Sequence, residues 1–373
     1  MSASTKHSLV SRQLLEDIAA GKYHLNKRLP SEAQLVERFG VSRPTITRAM
    51  RDLEAADVVE RRAGSGTYLK SSAASFGKNA VKQLGLIVPD FGRIEIFEVI
   101  CGELAGLART NDFHLLWGNR KGAVPEPGVT AAEMLALCDE FIERNCAGVF
   151  FAPMEHVPDC DEANRQVAER LRHAGIPMVL IDRDYMPHPA RSEYDLVGVN
   201  HFRSGYLLAE HLIKLGCRHV AFITRPLSAS TVDARIAGAR SAFVAHELDF
   251  PARAVLTGDP SNVSFLRGLM AGRQYDAVIC ANDYTAAQLL QGLQKLKVDV
   301  PKDLRIVGFD DVRYATLLSV PLTTIHQPCR DIAVVAFRAM QERMSDPTLP
   351  ARMIHLTPHL VVRESCGAYL ARI

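Results

Sequence analysis

Two periodicities divide this chain. Up to residue 70 the apolar positions recur at helical spacing, and from Gln83 onward short apolar runs alternate with longer amphipathic stretches. Leu9, Leu14, Leu15 and Ile18 mark the buried stripe of a first predicted helix, which Gly21 ends. Pro30-Ser31-Glu32-Ala33-Gln34 opens a second, with Ser31 able to cap and Gln34 three residues on able to close a capping box. Gly40 ends that helix and Ser42 can cap a third. In Val41–Ala55, the positions Ile46, Ala49, Met50 and Leu53 follow i, i+3, i+4, i+7 and share one face. Val58–Arg62 and Thr67–Leu69 then flank Ala63-Gly64-Ser65-Gly66, a predicted hairpin with a glycine tip.

Residues 71–82 are small and polar without an apolar period and read as a linker. Beyond them, strands are predicted at Leu84–Val88, Phe113–Trp117, Gly148–Phe151, Pro177–Ile181, Val197–Val199, His219–Ile223, Ala277–Cys280 and Leu304–Gly308. Helix-like segments such as Phe97–Arg109, Arg203–Leu215 and Tyr284–Leu296 lie between them. Such alternation implies an α/β body with parallel sheets covered on both faces, and its length favours two lobes over one sheet. No repeat or low-complexity tract interrupts it.

Composition narrows the class. The chain has 373 residues, 47% hydrophobic and 23% charged, which is ordinary for a folded chain of two or three domains. No apolar run approaches the roughly 20 residues that cross a bilayer, and Met1–Val10 lacks a signal-peptide core. A cytoplasmic address without membrane partners is expected. Eight cysteines without a CxxC pair read as reduced, small apolar side chains. Residues 1–70 hold 12 basic and 8 acidic side chains, whereas the remainder holds 32 and 34. The positive excess thus sits in the first fifth of the chain, as a small nucleic-acid-binding module requires.

The third helix carries candidate chemistry. Arg48 and Arg51 lie roughly opposite its apolar stripe with Thr47 beside them, and Arg43 and Thr45 occupy its first turn. Guanidinium groups can bond guanine O6 and N7 in pairs, and a threonine methyl can meet that of thymine. Periodicity alone is equally compatible with a solvated, arginine-bearing helix. Leu29-Pro30-Ser31-Glu32, Phe39-Gly40-Val41-Ser42-Arg43-Pro44-Thr45, Leu53 and Gly64-Ser65-Gly66-Thr67-Tyr68-Leu69 together resemble the GntR-type winged helix. That resemblance implies contacts to duplex DNA from Ser31, Ser42, Arg43, Thr45 and the Gly66 wing tip. The family usually places arginine where Thr47 stands; Arg48, one position later, is turned by about 100°.

In the body, Asp90, Asp182-Arg183, Asn282-Asp283 and Asp310 each follow an apolar strand, at the sheet edge where parallel α/β folds bind ligands. Arg235 lies across a loop from the strand ending at Thr224. Carboxylates, an amide and guanidinium groups suit a neutral polyol, and Phe97 can pack on a sugar's C–H face. An aspartate after a strand is equally often a helix N-cap, which is the alternative for Asp283 and for Asp310-Asp311. Leu84–Asp90, Gly175–Arg183, Ala281-Asn282-Asp283, Val300–Asp311, Pro321–Ile325 and Leu360–Ser365 resemble the sensor domain of LacI-type regulators. The resemblance implies a two-lobed, periplasmic-binding-protein-like (type I) fold with Arg235, Asp310, Asp283 and Asp182 as ligand contacts. Arg235-Ile236-Ala237-Gly238 keeps the family's Arg-x-x-Gly, but Ala239 replaces an aromatic, and Gly92–Ile96 departs from the usual loop before Phe97.

No nucleophile elbow, phosphate loop or dinucleotide motif is present, and His156 with Cys160 is too loose for a metal, so neither catalytic residues nor a cofactor is expected. His156 is expected in a solvated loop. The expected organisation is a winged helix-turn-helix at 1–70, a linker at 71–82 and a sensor at 83–373. Lobe 1 would cover about 83–198 and 326–354, and lobe 2 about 199–325 and 355–366. The pairing resembles the arabinose-responsive repressor type. It implies a homodimeric repressor of carbohydrate-utilisation genes, bound to operator DNA and modulated by a monosaccharide. A purine- or nucleoside-responsive regulator and a sugar-processing enzyme are the alternatives.

Overall fold

Ser31 and Gln34 do close a capping box: each side chain takes the other's backbone N–H, which fixes the start of α2 (Glu32–Phe39). Gly40 ends α2 in the left-handed conformation, and α3 (Arg43–Ala55) begins three residues later. With α1 (Lys6–Ala19) and the antiparallel hairpin of β1 (Val59–Arg62) and β2 (Gly66–Leu69), these elements enclose one apolar cluster. Leu14, Leu35, Ile46, Ala49, Met50 and Leu53 lie at its centre. The buried Asp17 carboxylate ties α1 to α2 through Lys22 at 2.7 Å and Arg38 at 2.5 Å. Burial by itself would raise this carboxyl, but these two hydrogen bonds outweigh it and hold it below the usual range.

The computed structural model describes residues 6–19, 22–23, 28–55, 58–62, 65–70, 82–88, 95–118 and 130–370. Gly21, Gly64, Asp90, Gly92–Ile94 and nearly all of the 71–82 linker fall outside them. The chain separates into two compact units, Met1–Lys82 and Gln83–Ile373.

In the second unit, β3 (Lys82–Ile87), α4 (Glu95–Thr110), β4 (Phe113–Trp117), α5 (Ala131–Glu143), β5 (Gly148–Phe151), α6 (Cys160–His173), β6 (Met178–Ile181) and β7 (Asp195–Val199) build the first lobe. Crossing over, α7 (His201–Lys214), β8 (Val220–Thr224), α8 (Ser230–Ala245), β9 (Val255–Thr257), α9 (Val263–Met270), β10 (Ala277–Cys280), α10 (Asp283–Lys295) and β11 (Arg305–Val307) build the second. The chain returns through β12 (Thr324–His326), α11 (Cys329–Ser345), β13 (Met353–Leu356) and β14 (His359–Val361). The first sheet has six strands in the order β13-β7-β6-β5-β3-β4, and the second has four in the order β11-β10-β8-β9. Every pairing along β13-β7-β6-β5-β3 and throughout the second sheet is parallel.

Two features differ from expectation. All of β13 pairs with β7, so His355 and Leu356 belong to the first lobe's sheet, and the expected division after residue 354 falls inside a strand. The return path also contains a short antiparallel pair, β12 with β14, beside the two larger sheets. Both arise from a chain that changes lobes three times: a strand entering a sheet edge last keeps its register to the end, and the crossing segments pair with each other.

Candidate functional site

In the first unit the exposed face of α3 gathers cations. Arg43, Pro44, Thr47, Arg48, Arg51 and Asp52 line an open groove. Among the described residues no carboxylate pairs with Arg48 or Arg51, whereas Arg61 and Arg62 are spent on Glu32 and Glu60. Arg43 is exposed and reaches Glu32 only at 3.7 Å. Thr47 donates to Glu32 at 3.1 Å, so its hydroxyl points back towards α2 and not outward. Ser42 and Thr45 share a hydroxyl–hydroxyl bond of 2.8 Å at the start of α3, and the Ser31 hydroxyl is held by Gln34. Free guanidinium groups on Arg48 and Arg51 make the C-terminal half of this face as cationic as its first turn.

At the hairpin tip Gly66 has φ +121°, and a Cβ there would run into the Arg28 guanidinium. Only glycine therefore fits, and Arg28 lies across the tip, its backbone bridged to Tyr68. Arg28 has no acidic partner among the described residues. No local pattern around Arg28 marks it as part of this surface, because its position depends on a pairing forty residues away.

In the second unit, a narrow cavity of about 30 Å³ opens between the lobes at the carboxyl ends of both sheets. Asp182, Arg183, Arg235, Asn282 and Asp310 line it, together with Glu155, His156 and Arg225, which sequence reasoning did not place there. Phe97 and Asp283 do not. Phe97 is fully buried, with the Arg183 guanidinium over its ring at 5.2 Å, so it supports that arginine from behind. Asp283 accepts from Thr324 at 2.7 Å and from the Val312 amide at 3.1 Å, fixing the loop that carries Asp310. Nor is Asp283 an N-cap: Asn282 takes the Thr285 amide at 2.9 Å and caps α10. His156 is not loosely solvated either. Its amide donates to Leu227 O at 2.7 Å and its Nδ1 lies 3.0 Å from Pro226 O, binding a first-lobe loop to a second-lobe loop.

Arg235 is placed by a close helix crossing. A Cβ at Gly205 of α7 would fall on the Arg235 carbonyl, and one at Gly238 of α8 on the Phe202 carbonyl, so the two backbones touch. The guanidinium then stacks 3.4 Å above the Phe309 ring centroid and donates to Ala281 O at 2.5 Å. It also donates to His201 Nδ1, at 3.3 Å from Nε and 3.2 Å from Nη2. His201 therefore carries its proton on Nε2, 3.2 Å from Asp182 O. Burial, then the positive Arg235, push this imidazole well below its usual range and keep it neutral.

Burial raises both cleft carboxyls, and the guanidinium groups oppose it. Asp310 is pushed up to about 7 despite Arg235, and Asp182 upward despite Arg183. Among the described residues Asp182 Oδ1 and Arg183 Nε have no hydrogen-bond partner, although Arg183 Nε lies 3.5 Å from Asp182 Oδ2 and Asp182 Oδ1 3.7 Å from His201 Nε2.

Comparison with known proteins agrees with this architecture. Residues 7–69 match the family described as bacterial regulatory proteins, gntR family, and residues 209–366 match the periplasmic binding protein-like domain. The chain joins a gntR-type helix-turn-helix head to a periplasmic-binding-protein-like sensor of the LacI type. The relatives found are named as transcriptional repressors. The ribose operon repressor of Escherichia coli K12 is 32% identical over 214 residues, covering 55% of this chain and 63% of that repressor's length. The HTH-type transcriptional repressor PurR of Vibrio vulnificus is 28% identical over 307 residues, 80% of this chain and 85% of its own. The solved transcriptional regulator CelR–cellobiose complex shares the fold, with TM-score 0.65 and 21% identity over 87% of this chain and 91% of that one. So does transcription regulator GntR from Chromobacterium violaceum, with TM-score 0.61 and 24% identity over 76% and 99%. Among the described residues no helix is long and apolar enough to cross a membrane.

Proposed function

We propose that this chain is a DNA-binding repressor of carbohydrate-utilisation genes, acting in the cytoplasm, whose hold on its operator is set by a small carbohydrate in the inter-lobe cleft. The observation that carries the ligand class is the unsatisfied pair at Asp182 Oδ1 and Arg183 Nε. A hydroxyl both donates and accepts, so sugar hydroxyls suit an acceptor and a donor of this kind; a buried polar group left without a hydrogen bond costs about 1–3 kcal/mol. Purine repressors are among the relatives, but no Phe, Tyr or Trp lines this cavity among the described residues, and a flat base gains most from such a surface. Titrating the full-length protein with monosaccharides, purines and nucleosides in a thermal-shift assay tests this reading. A ligand at 100 times its Kd adds about 2.7 kcal/mol to the sensor's stability. A shift with purines alone overturns it.

On the DNA side, Ser31, Ser42, Arg43, Thr45, Arg48 and the Gly66 tip, joined by Arg51 and Arg28, form the proposed contact surface. Thr47 contributes by holding Glu32 away from the groove. A homodimer would set two heads on one palindrome, the second binding at high effective concentration. Operator affinity is expected to fall steeply with salt as counterions are released. Arg48→Ala should weaken operator binding about tenfold, within the 1–3 kcal/mol typical of one arginine contact, without lowering the melting temperature. A salt-independent wild type, or an unaffected Arg48→Ala, would remove this face of α3 from the interface.

A further inference from the structure

The amino end of α8 is a helix start without its own cap. Ala229 stands at the N-cap, and its amide is taken by Glu155 Oε2 at 2.9 Å, from the opposite lobe. The other oxygen of Glu155 accepts from Arg183. Its carboxylate also lies 3.4 Å from the His156 ring. Arg225 lines the same cavity, its guanidinium over the Tyr284 ring at 5.9 Å and the Asp259 carboxylate within electrostatic reach. Thus a buried anion already sits at the junction of an uncapped helix and a buried arginine.

Charge balance dictates the character of the cleft once Glu155 swings out. Its carboxylate is ionised, held down to about 2 although burial opposes this, chiefly by Arg183. Without it Arg183, Arg225 and Arg235 outnumber Asp182 and Asp310, the two other carboxyls that line the cleft. The vacated cleft is then cationic, with the Ala229 amide released at a helix start. A neutral sugar leaves that charge unmatched.

We propose that the effector is an anionic carbohydrate, a sugar acid or sugar phosphate, whose charged group replaces the Glu155 carboxylate between Arg183 and the start of α8. The polyol part occupies Asp182, Asp310 and Arg235, and the anion bridges the lobes as Glu155 does now. This rests on the carbohydrate reading of the cleft and narrows it.

The test is isothermal titration of the full-length protein, wild type and Glu155→Gln, with neutral aldoses, the matching aldonic and uronic acids, the matching sugar phosphates and inorganic phosphate. At least one acid or phosphate should bind the wild type ten times or more tighter than its neutral parent, and the preferred series tells carboxylate from phosphate. Glu155→Gln removes the charged competitor and should tighten that anion several-fold more than it changes the affinity of any neutral sugar. Equal or tighter binding of the neutral parent by the wild type overturns the proposal, whatever the fate of the variant, and leaves the carbohydrate reading standing. Absence of binding by every carbohydrate, neutral or charged, overturns both.

Discussion

Arg235→Ala is expected to weaken effector binding at least 100-fold while leaving operator affinity in the absence of effector within twofold. The size reflects how little freedom this side chain has. Its guanidinium is fixed by Ala281 O, His201 Nδ1 and the Phe309 face before any ligand arrives, so its remaining N–H groups are presented without further ordering cost. Truncation removes a charge-assisted donor and strands Asp182 and Asp310 without the cation that offsets their burial; losses of about 2–5 kcal/mol are typical of such a site. Calorimetric titration measures the first quantity and operator titration the second. Parallel loss of both would show that Arg235 holds the sensor together and does not read the ligand.

Asp195→Ala should destabilise the sensor unit by about 3 kcal/mol, the lower end of the range for breaking a buried ion pair, because Arg352 is partly solvated. Asp195 opens β7 with its side chain fully buried, accepting from Arg343 at 2.9 and 3.1 Å and from the Arg352 amide and Nε at 2.8 and 3.2 Å. One carboxylate thereby joins β7, the end of α11 and the start of β13. Burial raises its pKa, but hydrogen bonds from Arg352 and Arg343 outweigh this and leave it below the usual value. Its contribution is therefore complete above the unfolded pKa near 4 and is lost as pH falls through the lower folded one. Denaturant midpoints at pH 7 should separate wild type from variant, and the gap should close on acidification below about pH 4. An unchanged midpoint at pH 7 would place the pair among solvated, weak ones.

Legibility in the sequence tracked how local each signal was. Phe113–Trp117, Gly148–Phe151 and Ala277–Cys280 are strands at the expected residues, because a short, mostly apolar run leaves no competing periodicity. The capping box at Ser31 and the left-handed Gly40 are equally local. By contrast β9, β12 and β14, each of three residues, are too short to carry a period, and β13 alternates too weakly against its neighbours. In the cleft, aspartates following strands pointed to the correct edge. They could not separate Asp310, which faces the cavity, from Asp283, which braces the loop behind it, since that depends on Thr324 folding back from forty residues away. Glu155, His156 and Arg28 owe their positions to partners in other elements and left no mark on the nearby pattern.

The bare backbone crossing at Gly205 and Gly238 also limits how this sensor can be retuned. With no side chain between the backbones at that crossing, there is nothing there to repack, and His201, Thr231 and Arg235 are carried by two helices in direct main-chain contact. A library aimed at new ligand preferences should therefore freeze both helices and diversify the loop positions 155–156, 182–183 and 225–228, where a new shape can be accommodated without prising two main chains apart.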